Sequence, residues 1–135
     1  MHRLGCVFAH PDDESLGNGG ALARYAAEDV ETYLVTATRG EHGWFGDPTQ
    51  DPGPTALGRI RTAELEAAAG VLGIREVAFL DYIDGDLDQA DPGEVVAKIV
   101  RHIRRLRPQV ILTFPPDGAY GHPDHIAISQ FALSA

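Results

Sequence analysis

The sequence AHPDDE, at residues 9–14, directly follows a short apolar run, LGCVF, at residues 4–8. The apolar run is typical of a buried β-strand, and a glycine-rich stretch and a helix-like pattern follow the polar residues. An imidazole and two carboxylates are therefore expected where a strand ends and a helix begins. Open α/β sheets bind their ligands there, in the crevice at the carboxyl ends of the strands.

A second polar cluster, GHPDH at residues 121–125, follows another apolar run, VILTF at residues 110–114. Each cluster contains His-Pro-Asp, and a proline at the first helical position would start a helix just beyond the polar side chains. His-Pro-Asp is also common at turns, where Asp is a favourable N-cap. Because two such clusters follow two strands, we predict that they meet in space and share one metal ion.

Strands and helices are predicted to alternate along the whole chain. The strands are expected at residues 3–9, 30–38, 76–80 and 109–114, and the helices at 21–27, 57–72, 94–106 and 126–133. This order predicts an α/β fold with a parallel sheet and helices on both faces. Two long loops are expected, at residues 44–56 and 81–92, the first with three prolines.

The composition narrows the class of protein. The chain has 135 residues, enough for one domain with a sizeable core. Its formal net charge of −9 argues against a nucleic-acid partner, because phosphate binding needs a basic face. No run is apolar and long enough to predict a membrane span. The single cysteine, Cys6, lies in the first apolar run, where we expect it to pack in the core, and it suits a cytoplasmic location.

Three side chains of the two clusters match a catalytic zinc site. His10 and Asp13 come from one turn and His125 from the second cluster, which gives two imidazoles and one carboxylate. Catalytic zinc takes three protein ligands and keeps an open position for water. The same ligands suit Fe²⁺, so the residue types leave Zn²⁺ and Fe²⁺ open. The site requires the first and fourth strands to be neighbours.

The other polar residues of the clusters are candidates for proton transfer. Asp12 is expected to act as the general base that takes a proton from the metal-bound water. His122 is expected to steady a developing oxyanion and then to protonate a leaving amine, with Asp124 holding its ring in the useful tautomer. Tyr120 either donates a hydrogen bond to the same oxyanion or packs at the mouth of its loop.

These motifs resemble the two signatures of the LmbE-like, or PIG-L, zinc deacetylases. That family includes the de-N-acetylases of N-acetylglucosaminyl-phosphatidylinositol and of the mycothiol and bacillithiol precursors. TRGE at residues 38–41 and RTAEL at residues 61–65 also match in order and spacing. The resemblance covers essentially the whole chain and implies a Rossmann-like, three-layer αβα fold with a mostly parallel sheet.

The resemblance also implies roles for individual residues. It implies zinc at His10, Asp13 and His125, with Asp12 as the base.

Further residues are implied around the substrate. His122 and Tyr120 would lie near the oxyanion, and Arg61 and Asp84 would contact a sugar or inositol. Family members are usually much longer, so residues 1–135 are expected to be a single deacetylase domain that lacks its C-terminal part.

Together these observations predict a zinc-dependent hydrolase that removes an acetyl group from an N-acetylglucosaminyl small molecule. An amidase of thiol-sugar conjugates would use the same centre. A metal-dependent phosphohydrolase is an alternative, although such sites usually need two metals. A non-catalytic Rossmann-like metal-binding module is a third, although a closed structural zinc site would leave Asp12 and His122 without a role. The sequence leaves open the exact substrate and whether the protein forms a homo-oligomer.

Overall fold

A computed structural model describes all residues, 1–135. The strands are β1 (Arg3–Phe8), β2 (Glu31–Thr36), β3 (Ile74–Phe79) and β4 (Val110–Leu112). The helices are α1 (Asp13–Leu16), α2 (Gly19–Ala27), α3 (Pro54–Leu72), α4 (Pro92–Leu106), α5 (Gly118–Gly121) and α6 (Pro123–Ser134). Two 3₁₀ turns, Pro48–Gln50 and Leu87–Gln89, lie in the two long loops. None of the helices is long and apolar enough to cross a membrane.

The sheet is entirely parallel, and its strand order is β3-β2-β1-β4. β1 pairs with β2 along its whole length and with β4 from Leu4 to Cys6. The chain therefore builds outward from β1 to β3 and then returns to the other side of β1. This reversal is a topological switch point, and the loops that follow β1 and β4 leave the sheet side by side there. The predicted α/β fold with neighbouring first and fourth strands is confirmed.

Helices cover both faces of the sheet because the side chains of β1 alternate between two cores. Val7 packs with Ile128 of α6 in one core, and Cys6 packs with Leu22 of α2 and Leu65 of α3 in the other. Cys6 is buried, as expected from its place in the apolar run. The molecule thus has three layers, with the sheet in the middle.

The structure corrects some of the predicted bounds. α3 begins at Pro54, three residues earlier than expected, because Pro54 occupies the favourable N1 position behind Gly53, whose φ is +85°. β4 is shorter than predicted and ends at Leu112. On α3 the apolar side chains of Ile60 and Val71 are exposed, although their spacing is close to helical.

Candidate active site

The turn after β1 fixes the Asp13 carboxylate. Asp13 Oδ2 accepts hydrogen bonds from the backbone N–H groups of Ala9, at 3.1 Å, and His10, at 2.9 Å. Burial raises the pKa of Asp13 to about 6, and the N–H of His10 and its imidazole offset part of that effect. The preceding residue, Asp12, has a φ of 116° and an exposed side chain, so the two adjacent carboxylates point in different directions.

The His125 ring is held from two sides. It stacks on Phe114 with the ring centroids 3.9 Å apart, and its Nδ1 lies 3.2 Å from the carbonyl oxygen of Gly118. A carbonyl oxygen can only accept, so Nδ1 carries the proton and Nε2 keeps a free lone pair. Burial lowers the pKa of His125 to about 4, which keeps the ring neutral. His125 is therefore ready to act as a metal ligand through Nε2.

Ligand atoms from the two clusters converge at the spacing of a metal site. His10 Nδ1 lies 3.2 Å from His125 Nε2 and 3.7 Å from Asp13 Oδ2. Asp13 Oδ1 lies 3.4 Å from His125 Nε2. Ligands about 2.0–2.2 Å from a tetrahedral zinc ion would be roughly 3.3–3.6 Å from one another. The distances between the three side chains are compatible with a shared divalent metal, with His10 facing one Asp13 oxygen and His125 the other.

His122 offers an alternative third ligand. One of its ring nitrogens lies within 4.8 Å of ligand nitrogens of His10 and His125. Asp13 has oxygens 3.7 Å from His10 Nδ1 and 3.4 Å from His125 Nε2, brings a negative charge, and is already fixed by two backbone N–H groups. Asp13 is therefore the stronger candidate for the third ligand, and His122 lies beside the candidate site.

The opposite side of the His10 ring contacts two carboxylates. His10 Nε2 lies 2.8 Å from Asp124 Oδ2 and 3.1 Å from Asp84 Oδ1. Burial alone would lower the pKa of His10, but the hydrogen bonds to Asp124 and Asp84 outweigh it and raise the pKa to about 9. Carboxylates commonly orient metal-binding histidines in this way and increase their basicity.

The position of Asp124 corrects one expectation. Its fully buried carboxylate accepts hydrogen bonds from the backbone N–H groups of Gly85, at 2.8 Å, and Leu87, at 3.1 Å, and contacts His10 rather than His122. These hydrogen bonds outweigh burial and keep the pKa of Asp124 below its usual value. His122 is held instead by the backbone N–H of Asp124, which donates to its Nδ1 at 3.1 Å.

Asp84 is held between two loops. Asp84 Oδ2 accepts a hydrogen bond from the backbone N–H of His42 at 3.0 Å, and the Asp84 N–H donates to Glu41 Oε1 at 3.0 Å. Its other oxygen contacts His10, so both carboxylate oxygens already have partners. The substrate contact implied for Asp84 would have to share these oxygens. Glu41 was missed as a member of this group because nothing in its local sequence indicates that it meets Asp84.

Arg61 reaches from α3 into the turn that carries Asp12. Its NH1 donates to the carbonyl oxygen of Gly40 at 2.9 Å, and its NH2 donates to the carbonyl oxygen of Pro11 and lies 3.4 Å from Asp12 Oδ2. A Cβ at Gly40 or Gly43 would lie 2.2 or 2.4 Å from NH1, so these glycines leave the space that the guanidinium fills. Arg61 is therefore packed against the candidate base.

Tyr120 projects from the distorted turn α5. Its side chain is largely exposed, its ring centroid lies 5.2 Å from that of His125, and Ala119 before it has a φ of 73°. Partial desolvation and the negative charges of Asp13 and Asp12 raise the pKa of Tyr120, so its phenol keeps the proton it could donate. This exposure disfavours the alternative that Tyr120 packs at the loop mouth.

These side chains surround one open cleft of about 370 Å³, which is in the usual range for small-molecule sites. Eight of the nine predicted site residues line it, and the ninth, Asp124, lies behind His10. Other lining residues were not predicted as site residues, among them Asn18, Phe45 and Phe114. Phe114 was missed because it ends an apolar run and looks like a core residue.

The fold and this cleft define a class of protein, the three-layer α/β domains with a candidate metal centre at the switch point of a parallel sheet. The family match is more specific. The GlcNAc-PI de-N-acetylase (PIG-L) family matches residues 6–135, and the chain belongs to this family. The resemblance noted from the two motifs is therefore confirmed.

Individual relatives and solved structures are similar to nearly the whole chain. A 1D-myo-inositol 2-acetamido-2-deoxy-alpha-D-glucopyranoside deacetylase from Streptomyces scabiei is 42% identical, over 99% of this chain and 48% of the relative. The N,N'-diacetylchitobiose deacetylase of Pyrococcus horikoshii superposes with a TM-score of 0.88 at 28% identity, over 98% of this chain and 48% of its own. The 4-carboxy-2-hydroxymuconate hydratase GalB of Pseudomonas putida has the same TM-score at 26% identity, over 99% and 55%. The chain thus spans about half the length of these relatives.

Proposed function

We propose that the protein is a metal-dependent amide hydrolase that removes the acetyl group from an N-acetylglucosaminyl small molecule. The observation that carries the proposal is the convergence of His10, Asp13 and His125 within 3.2–3.7 Å, beside the exposed carboxylate of Asp12. The substrate class is supported by the curated relatives, which are named as deacetylases of an N-acetylglucosaminyl inositol.

We assign Zn²⁺ to His10, Asp13 and His125, with Fe²⁺ as the alternative that the same ligands suit. When bound, such an ion would polarise the acetyl carbonyl and lower the pKa of water at its open position. The two carboxylates behind His10 support this assignment, because they orient the ring so that Nδ1 faces Asp13 and His125.

Asp12 is the proposed general base. Its side chain is about half exposed and lines the cleft, whereas Asp13 is buried and fixed by backbone N–H groups. Asp12 takes a proton from the water that attacks the acetyl carbon. Arg61, 3.4 Å from Asp12 Oδ2, limits the orientations of the carboxylate and supports this role.

His122 is the proposed proton donor. Because its Nδ1 accepts the backbone N–H of Asp124, the neutral ring carries its proton on Nε2. That N–H donates a hydrogen bond to the oxyanion. As the C–N bond breaks, its proton moves to the nitrogen of the sugar and is replaced on His122 by the proton that Asp12 took from the water, which leaves acetate and a free amine. The phenol of Tyr120, on the exposed side of the cleft, is a second donor to the oxyanion.

The alternatives are less well supported. A two-metal phosphohydrolase could use His10, Asp84 and Asp124 as a second site, but the buried Asp124 oxygens already accept two backbone N–H groups. A structural metal module would need a closed fourth position, whereas the cleft is open. The hydratase GalB shares the fold at 26% identity, while several curated deacetylases are 39–44% identical.

Acetate release provides the direct test. The zinc-loaded protein should release acetate from 1D-myo-inositol 2-acetamido-2-deoxy-α-D-glucopyranoside or from N,N'-diacetylchitobiose, with about one zinc per chain, and Asp12→Asn should not. Absence of acetate with a panel of N-acetylglucosaminyl compounds would contradict the proposal. Hydration of an unsaturated carboxylic acid by the same sample would favour the hydratase alternative, and two metals per chain would favour the phosphohydrolase.

The domain organisation, the cellular location and the partner of the protein stay predictions. We propose that residues 1–135 act as one deacetylase domain in the cytoplasm, with a small sugar derivative as the partner. The buried, unpaired Cys6 is compatible with a reducing compartment. Fractionation of the native host cells tests the location.

A further inference from the structure

Glu14 is an acidic residue that the proposed reaction does not use. It is 1% exposed, and no lysine or arginine contacts its carboxylate. The donors that reach it are the backbone N–H of Asp12, 3.1 Å from Oε2, and the hydroxyl of Ser15, 2.9 Å from Oε1. Burying a carboxylate without a cation is unfavourable, and an apolar side chain at this place would avoid that penalty. The unfavourable burial of Glu14 therefore indicates that its carboxylate has a function.

The Asp12 backbone supplies a reason. Asp12 has φ 116° and ψ −24°, a conformation that residues with a Cβ rarely adopt and that the surroundings must maintain. Glu14 holds the Asp12 N–H on one side of the turn, and Arg61 holds the carbonyl oxygen of Pro11 on the other. The peptide group between Pro11 and Asp12 is thus bound at both of its polar atoms.

We propose that Glu14 is a positioning residue that holds the Asp12 amide and so keeps the Asp12 carboxylate directed into the cleft, apart from Asp13. This inference rests on the proposed role of Asp12 as the base. Glu14 would act on the rate of proton removal and not on metal binding, because Asp13 is fixed independently by Ala9 and His10. A simple helix cap at the start of α1 would instead affect stability alone.

Three variants separate these roles. Glu14→Leu removes both acceptors, Glu14→Gln keeps an oxygen for the Asp12 N–H, and Ser15→Ala is the matched control that removes only the other donor. For Glu14→Leu we expect kcat for acetate release to fall by about 10²-fold, with KM and zinc content unchanged, as a misplaced catalytic group would produce. Glu14→Gln and Ser15→Ala should stay close to the wild type. Loss of zinc in step with activity, or equal damage in Glu14→Gln, would overturn the inference.

A double variant tests whether Glu14 acts through Asp12. In an Asp12→Asn background the base is already absent, so adding Glu14→Leu should cause no further loss of kcat. A further loss of the same size as in the single variant would show that Glu14 acts elsewhere, and the inference would be wrong.

Hydrogen exchange of the Asp12 amide needs no turnover. Measured by NMR, this proton should exchange slowly in the wild type and in Glu14→Gln and quickly in Glu14→Leu, while the amides of β1 are unchanged. Exchange as fast as that of an exposed amide in the wild type would overturn the inference, even if Glu14→Leu failed to fold. A wild type that releases no acetate but protects this amide would contradict the proposed function alone.

Discussion

His10 Nε2 lies 2.8 Å from Asp124 Oδ2, while Nδ1 on the other side of the same ring faces Asp13 and His125. The first motif thus supplies a candidate ligand, and the second motif supplies the carboxylate that orients it. In return, His125 of the second motif meets Asp13 of the first. The two motifs therefore form one interdependent unit.

The first prediction concerns this orienting carboxylate. Asp124→Asn is nearly isosteric but weakens the acceptor at His10 Nε2, so zinc affinity should fall by about 10–100-fold. Competition with a chelator measures the affinity without any turnover. Asp91→Asn, which changes an N-cap at the start of α4, is the control and should bind zinc normally. Unchanged affinity in Asp124→Asn would mean that the contact has no influence on the metal.

The ligand set makes a second prediction. His10→Ala, Asp13→Ala and His125→Ala should each lose most of the bound metal, whereas His122→Ala should keep it. Metal content after dialysis, by elemental analysis, distinguishes this set from the three-histidine alternative. His2→Ala, at the exposed N-terminus, is the matched histidine control. If Asp13→Ala keeps its metal and His122→Ala loses it, the third ligand is His122 and not Asp13.

Asp12 and Asp13 should differ in a third experiment. Asp12→Asn should keep zinc while turnover falls by about 10²–10⁴-fold, the usual effect of removing a general base. Asp13→Asn should lose zinc first and recover some activity at high zinc concentration. Zinc content and rate, measured on both variants, decide between the roles. If Asp12→Asn is the variant that loses zinc, the assignments are reversed, and if it keeps full activity the mechanism has no base.

Gly43 provides a fourth test because a Cβ there would lie 2.4 Å from Arg61 NH1. Gly43→Ala should displace the guanidinium from Asp12 and lower kcat by up to about 10²-fold, with zinc content unchanged. Gly70→Ala is the control: it adds a methyl group to the exposed side of α3 with no atom within 4 Å. That change should leave activity intact and stabilise the fold by about 0.5–1 kcal/mol. Full activity in Gly43→Ala would show that Asp12 does not need the Arg61 guanidinium in this position.

The fifth prediction concerns pH and stability. Glu31 accepts hydrogen bonds from Tyr33 at 2.9 Å, Arg3 at 2.7 Å and Arg75 at 2.8 Å, and these contacts, Tyr33 foremost, lower its pKa below the usual 4.5. A lowered carboxyl pKa stabilises the folded state above the unfolded-state pKa, and this stabilisation is lost as the pH falls through the folded-state pKa. Glu31→Gln should therefore unfold at a lower temperature than the wild type at pH 7.

That difference should shrink as the pH falls from about 4.5, the usual pKa, through the lower folded-state pKa of Glu31, where the wild-type carboxyl also becomes neutral. Thermal unfolding of the wild type and Glu31→Gln, at pH 7 and at a pH below the folded-state pKa of Glu31, measures this difference. Glu28→Gln, which alters an exposed pair with Arg24 on the surface of α2, is the control and should have little effect at either pH. A difference between wild type and Glu31→Gln that is the same at both pH values would exclude the ion pairs as its source.

Much of this arrangement could be predicted from sequence because its signals are local. The apolar runs before residues 9–14 and 121–125 indicate strands, and residue types in each cluster indicate metal ligands. Parallel strands carry such residues to one edge of the sheet, so neighbouring β1 and β4 were sufficient to bring His10 and His125 together.

The contacts between loops could not be predicted, because they depend on how distant backbone segments pack. The Asp124 carboxylate is drawn to His10 partly by the N–H groups of Gly85 and Leu87, which lie 39 and 37 residues away in sequence. Likewise, Glu41 meets Asp84 across 43 residues. No local pattern specifies such partners. For this reason the sequence wrongly predicted His122, and not His10, as the partner of the Asp124 carboxylate.

The distance along the chain between His10 and His125 also bears on how the protein is made. These residues are 115 positions apart, yet their ring nitrogens lie 3.2 Å from each other. During synthesis the ribosome releases β1 early, but the second histidine emerges only near the end of these 135 residues. A nascent chain therefore would not complete the proposed metal site until β4 has docked beside β1, and an ion bound there would close a loop of more than a hundred residues against unfolding.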